Sequence, residues 1–193
     1  MLDTIKSNPS SLHRLSTRGV QIKPRPCLAM KFISSGVTFS AGVSGVDANA
    51  AFPGPNYDCL GTPLGTAPDP TFWYLEIATS GTINMSLSAP ADIDFIIWGP
   101  FVDLADAQSH CTNFGTAPTA TNGSVIDCSY SALSTEAPVI TGAVVGQVYV
   151  MMVTNFAGVA QNVSLTQTGG TGATSCAILN NCTADAGTIS TFF

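Results

Sequence analysis

The chain has 193 residues, 45% of them hydrophobic, which suffices for one β-rich domain with tails and is too little for two. Charged residues make up 9%, against about 25% in an ordinary globular domain, which disfavours charge-driven disorder and long surface helices laced with Glu–Lys pairs. All six basic residues (Lys6, Arg14, Arg18, Lys23, Arg25, Lys31) precede position 32, whereas eleven of the twelve carboxylates follow it, so neither a nucleic-acid surface nor one for anionic membranes can be built beyond Lys31.

Residues 1–29 are rich in Ser, Pro and Arg and show no sustained period. From Met30 to Ala50 the chain reads as a second start: Lys31 as a basic n-region, Phe32 to Val46 as a weak apolar h-region diluted by Ser and Gly, and Ala48, Asn49, Ala50 as a small-residue cleavage box. On that reading residues 1–50 are a leader and Ala51 begins the secreted chain; the alternative is a retained tail, disordered or partly β. No run of 18 apolar residues follows, so a membrane-spanning helix is not expected.

Short strands separated by turn residues begin at Phe72. Phe72 to Thr79 is aromatic and β-branched, Ser80 and Gly81 form a turn, and Thr82 to Ser88 alternates Ile83, Met85 and Leu87 with polar residues, which predicts a hairpin with one buried face. Asp92 to Gly99 is a largely apolar strand stopped by Gly99 and Pro100. Phe101 to Gly123 reads as loop, with one helical turn at Val102 to Gln108. Strands resume at Ser124 to Tyr130, Ala137 to Gly142, Gln147 to Phe156 and Gln161 to Thr168. Seven or eight strands at this spacing define an all-β, antiparallel, jelly-roll-like sandwich over residues 51–176. Gly, Pro, Thr and Ser interrupt every helical period after Ala50, which excludes a parallel α/β sheet. Gly169 to Gly172 lacks the Lys and following helix of a phosphate loop and reads as an exit linker into residues 177–193, themselves a linker, the start of a following β domain or a donor strand.

Cys27 would leave with the leader, and Cys59, Cys111, Cys128, Cys176 and Cys182 remain, without the paired CxxC spacing of a zinc site. Disulfides in an oxidising compartment fit better. Cys111 and Cys128 flank a Gly-, Thr-, Asn- and Pro-rich loop and form the favoured pair, contributing about 3 kcal/mol by restricting the unfolded chain. Cys59 and Cys176 are further candidates for bridging, and an odd number of thiols leaves one free or paired outside the chain.

Five segments carry a resemblance: PNYDCLGT (Pro55 to Thr62), DIDFIIWGPF (Asp92 to Phe101), DCSYS (Asp127 to Ser131), MMVTNF (Met151 to Phe156) and TQTGGTG (Thr166 to Gly172). In this order they resemble the N-terminal β-sandwich of large secreted, gliding-motility-associated surface proteins of Bacteroidota, and more distantly pre-peptidase C-terminal and CUB-like jelly rolls. Members of that group often carry Cys where this chain has Ile97, a departure that leaves its disulfide map open. The resemblance implies an extracellular, non-catalytic adhesive or accessory module at, or released from, the cell surface, with a glycan or protein as ligand.

Beyond the leader the chain has one His, His110, beside Cys111 in a Gly- and Pro-rich loop, which makes a poor general base for a Ser–His–Asp relay. Asp92 and Asp94 stand side by side on one strand rather than across a scissile bond, as a glycosidase would need. Two such carboxylates about 6 to 7 Å apart repel by roughly 2 to 3 kcal/mol at an effective dielectric near 20. A hard cation would offset this, so a calcium shell of Asp92 and Asp94 with Asp127 or Asp103 and backbone carbonyls is the candidate, the alternative being solvated strand-end carboxylates or caps of the loop after Ala89. Trp73, Tyr74, Trp98, Tyr130 and Tyr149 are candidates for a sugar platform, although strands that build a sandwich must bury most of them. Sequons at Asn84, Asn122, Asn162 and Asn181 matter in a host that glycosylates them. Finally, sheet edges without Lys and an uncharged terminal strand, Thr188 to Phe193 with Ile189, Phe192 and Phe193 as its apolar residues, raise self-association: a filament built by strand addition is the alternative to the adhesive module, as is an accessory domain of a secreted hydrolase.

Overall fold

The computed structural model describes residues 30–175 apart from 62, 64 and 117–121. The strands are β1 (Lys31–Phe32), β2 (Val37–Ser40), β3 (Thr71–Thr79), β4 (Gly81–Ser88), β5 (Asp94–Phe101), β6 (Ser124–Ser129), β7 (Thr135–Glu136), β8 (Val139–Ala143), β9 (Val148–Thr154), β10 (Asn162–Gly169) and β11 (Ala173–Ser175). Two short helices, α1 (Ala48–Ala51) and α2 (Leu104–Ser109), and a 3-10 turn at Asp58–Leu60 complete the elements. One sheet runs β1-β3-β9-β5-β6, with β11 also on β3; the other runs β2-β10-β4-β7, with β8 also on β4. The protein is therefore an all-β sandwich. All pairs are antiparallel except β1 with β3.

Each of the seven expected strands is present, and the helical turn after Phe101 is α2. Asp103 starts that helix: its carboxylate accepts the Asp106 N–H at 2.9 Å, as an N-cap should. The two central strands, β5 and β9, are buried on both faces, which is why they read as continuous apolar runs. Phe95, Ile97, Tyr149, Met151 and Val153 point between the sheets, where they meet Ile83, Met85, Leu87, Val163 and Leu165. Ile96, Trp98, Val150 and Met152 point to the opposite face, which is covered by α1, α2 and the 3-10 turn through Ala48, Leu60 and Ala107. A third layer of short helices and loops thus lies outside one sheet.

Residues 31–40, read above as leader, supply β1 and β2, so the sandwich starts ahead of Ala51. The Ile33 N–H donates to Tyr74 O at 2.9 Å, continuing β1 along β3. Phe39 of β2 lies against Trp73 with ring centroids 4.7 Å apart, and Phe32, Ile33 and Phe39 are all buried. The physical reason is pattern: a weak h-region diluted by Ser and Gly has the same composition as two short strands and a turn. Gly169 to Gly172 likewise does not lead away from the domain. It turns the chain from β10 into β11, on the outer edge of β3. Gly170 has φ +92°, and a Cβ there would stand 2.0 Å from Thr82 O, so both conformation and space require glycine. Among the described residues, no helix is long and apolar enough to cross a membrane. Ile189, Phe192 and Phe193, with Cys176, lie outside the described residues.

Candidate ligand-binding site

With no cation after Lys31, the carboxylates of this chain are held by backbone N–H groups. Asp47 caps α1 by accepting the Asn49 N–H at 2.8 Å, and its other oxygen accepts the Ala67 N–H at 3.1 Å. Asp69 accepts from Gly45 N–H and the Ser44 hydroxyl. Asp127 accepts the Cys128 N–H at 2.9 Å and the Val139 N–H at 2.7 Å, which ties β6 to β8. Charge-assisted bonds of this kind are about twice as strong as neutral ones.

Three buried carboxylate oxygens escape this pattern, Glu76 Oε2, Asp92 Oδ1 and Asp94 Oδ2, and the last two lie together. At one end of the sandwich β5 begins, β9 ends and the β6–β7 connection passes. Asp94, the first residue of β5, is only 1% exposed. Its Oδ1 accepts the Ser131 N–H at 2.9 Å, while its Oδ2 is buried without a hydrogen bond. Thr154, its cross-strand neighbour on β9, holds a buried hydroxyl beside it, near enough to lower its pKa though outside good hydrogen-bond geometry. Asp92 leaves Oδ1 buried and unpaired as well. Glu136 of β7 accepts from the Ser131 hydroxyl, so one serine bridges two carboxylates. Burial pushes the Asp94 carboxyl up to about 7; the Ser131 N–H opposes this, Asp92 and Glu136 add to it, and Thr154 pulls it down slightly. Asp92 is raised too, by burial and then by Glu136.

A cavity of about 280 Å³ opens here, lined by Asp92, Asp94, Tyr130, Ser131, Ala132 and Phe156. Tyr130 and Phe156 meet edge to face, centroids 5.7 Å apart, and each is 43% exposed. Leu133 nearby is exposed as well. Buried amides fix the walls: Asn155 Nδ2 donates to Gly42 O at 2.8 Å and Val159 O at 2.7 Å, Gln161 Nε2 donates to Asn155 Oδ1 at 2.7 Å, and Gln161 Oε1 accepts the Ala91 N–H at 2.8 Å. The loops carrying Phe156 and Asp92 are thereby clamped to one another.

Of the four expected metal ligands, only Asp92 and Asp94 come together. Asp103 follows the far end of β5, about 25 Å away at the usual rise per strand residue, and caps α2. Asp127 pairs with Ile97, three residues along β5 from Asp94, and both its oxygens are engaged. Two unpaired oxygens fit poorly with a calcium ion that takes six to eight, and among the described residues no three His, Cys, Asp or Glu side chains gather as ligands. Glu136 was missed because its two-residue strand carries no alternating pattern.

The sugar-platform residues also separate: Trp73, Tyr74, Trp98 and Tyr149 are buried, and Tyr130 alone of the five lies at the surface. Trp98 Nε1 donates to Asn56 O at 2.8 Å, which satisfies its polar atom in place. His110 ends α2, stacked on Phe101. Asp106 Oδ1 at 3.3 Å, Asp106 O at 2.9 Å and the Ser109 hydroxyl at 3.1 Å all converge on its Nδ1. A relay needs the carboxylate and the hydroxyl on opposite ring nitrogens, so these three residues do not form one. Cys128 is bonded to Cys59, not to Cys111, with Cα atoms 6.1 Å apart and a sequence separation of 69. The 3-10 turn carrying Cys59 lies against β6 on the covered outer face, and loop composition had favoured the nearer partner. Cys111 is itself disulfide-bonded, and no described cysteine is free.

No family model matches this chain, and no curated protein matches it.

Proposed function

We propose that this protein is a non-catalytic, extracellular binding module of a secreted or cell-surface protein, adhesive or structural in role, that engages its ligand through the Asp92–Asp94–Phe156 pocket. The observation that carries the reading is the pocket itself: Asp92 and Asp94, each with a buried oxygen that completes no hydrogen bond, stand beside two exposed rings. Buried polar groups without partners cost free energy, and a functional role is one reason a fold retains them. Disulfide-bonded Cys59, Cys128 and Cys111 support an oxidising compartment, and the geometry around His110 Nδ1 favours binding over catalysis.

The purified full-length chain, applied to arrays of extracellular proteins and glycans, is expected to bind specific spots that the doubly substituted Asp92→Asn, Asp94→Asn protein no longer binds. Equal binding by both proteins would overturn the pocket as the site. Turnover of an ester, peptide or glycoside abolished by His110→Ala would overturn the non-catalytic part.

A second reading, a filament subunit assembled by strand addition, is favoured by the edges. Among the described residues β6 pairs only with β5 and β2 only with β10, and neither carries a Lys or Arg to block a further strand. Filaments seen by electron microscopy and lost on deletion of residues 183–193 would support it; persistence after the deletion would remove the tail as donor.

A further inference from the structure

We infer that the free edge of β2 pairs with the same strand of a second copy, joining two sandwiches about a two-fold axis. This goes beyond the filament reading: it uses a strand already within the fold, closes after two copies and does not need the tail.

The edge is open and already ordered. The Ala41 N–H donates to Gln161 O at 2.9 Å, in the register that sets Ser40 against Asn162 and Thr38 against Ser164. Hydrogen-bonding positions alternate along an antiparallel pair, so Val37, Phe39 and Ala41 turn their main-chain groups to β10 while Thr38 and Ser40 turn theirs outward. Among the described residues no strand or side chain meets those outward groups. Phe39, 1% exposed against Trp73, pins the middle of the strand. The Thr38 hydroxyl lies 3.0 Å from that of Ser164, and the Ser40 hydroxyl donates to Asn162 Oδ1 at 3.2 Å. A partner therefore has little left to immobilise. The free edge of β6 differs, because its own chain crosses it: Asp127 takes the Cys128 and Val139 N–H groups, and the Cys59 bridge ties the 3-10 turn to it.

The sequence of the edge selects the occupant. Gly36-Val37-Thr38-Phe39-Ser40-Ala41-Gly42 has the same character read from either end, centred on Phe39. A two-fold interface demands this kind of self-complementarity. Laid antiparallel on its copy, Thr38 stands opposite Ser40 of the second copy, and Ser40 opposite its Thr38. Each of these pairs exchanges two main-chain hydrogen bonds and sets hydroxyl beside hydroxyl on the outer face. On the inner face Phe39 stands opposite Phe39 and Val37 opposite Ala41, prolonging the core cluster against which Val37 and Ala41 already pack. No residue from Phe32 to Val46 is charged, so the pairing sets no like charges against each other, and the net charge of −6 lies on other elements. The result is one continuous sheet made from the five-stranded sheets of two copies.

The test is sedimentation velocity of the full-length chain at physiological salt over a range of concentrations, with amide hydrogen exchange followed by NMR. An edge contact of this length is smaller than a standard interface, so pairing is expected at about 0.5 mM and not at about 5 µM. Over that range exchange at Thr38 and Ser40 should slow at least about fivefold, while Val37 and Phe39 are protected throughout. Ser40→Pro removes an outward N–H at a place where an edge strand tolerates proline. It should keep a well-dispersed spectrum and stay a monomer at either concentration. Thr38→Lys with Ser40→Lys sets like charges opposite one another across the axis and should also stay a monomer, as should Thr38→Glu with Ser40→Glu, whereas a mixture of the two should pair. Deletion of residues 183–193 should leave the pair intact while it removes filaments built with the tail as donor, so the two readings fail separately. A wild-type monomer at the higher concentration would overturn the inference. So would pairing that survives both Ser40→Pro and the double Lys substitution, or pairing lost with the tail.

Discussion

Replacing Asp94 by Asn removes a buried charge while keeping the shape of the side chain and an oxygen for the Ser131 N–H. In the folded chain the Asp94 carboxyl is raised from 3.8 to about 7, so the native state holds a proton over a range in which the unfolded chain has lost it. Stability therefore falls as pH rises from about 4 to about 7 and levels off above that. At 1.36 kcal/mol per pH unit, the shift corresponds to an upper bound of about 4 kcal/mol, and relaxation around Thr154 reduces what is measured to about 2 kcal/mol. The assay is urea unfolding of wild type and variant from pH 4.5 to 8.5 with chelator present. Asp94→Asn is expected to be more stable than wild type at pH 8 and close to it at pH 4.5, with a flatter profile between. Some slope should persist, because Asp92 and Glu76 are raised by burial in the same sense. A wild-type stability that climbs through this range, or a variant with an unchanged slope, would refute the reasoning.

Cys59→Ser with Cys128→Ser should lower unfolding free energy by about 4 kcal/mol, the chain-entropy value for a loop of about 70 residues; a loss under 1 kcal/mol in non-reducing urea melts would show that the bridge constrains little. A chain beginning at Ala51 lacks Phe32, Ile33 and Phe39, whose burial stabilises by about 2 kcal/mol each, and it should show no cooperative near-ultraviolet melt; a native-like melt would show that β1 and β2 are dispensable. Gly170→Ala should cost about 2 kcal/mol or more in the same melts, because its Cβ would collide with Thr82 O. Gly142→Ala, with φ +65° and nothing within 4 Å of the new Cβ, should cost about 1 kcal/mol; equal losses at the two glycines would deny the collision.

The sandwich was legible where side chains alternate or run apolar. Ile83, Met85 and Leu87 announced a strand with one buried face, and Gln147 to Phe156 a strand, which the structure buries on both faces over Val148–Thr154. Less legible were elements too short for a period to emerge: β1 has two residues, β7 two and β11 three. Their stability comes from the neighbours they pair with, a non-local property. The same limit applied to the site. Asp92 and Asp94 stood out as a pair in a cation-poor chain, but which carboxylate joins them depends on how the β6–β7 connection returns. That return brings Glu136 through Ser131, while the more conspicuous Asp127 turns to Val139 N–H. The cysteines show the reverse error, since sequence proximity favoured Cys111 where the packing of the 3-10 turn on β6 selects Cys59.

The anchoring of carboxylates by main-chain amides sets how the protein responds to brine. A fold laced with Lys–Glu pairs loses those attractions as salt screens them, whereas bonds such as Asp47 to Asn49 and Asp127 to Val139 are short, part-buried contacts that salt screens much less. What salt does screen is the mutual repulsion of a chain with a net charge of −6. Rising ionic strength therefore acts in one direction on this molecule, toward the compact state and toward closer approach of its copies. The same loop geometry can be kept from dilute water to sea water without rewriting its contacts.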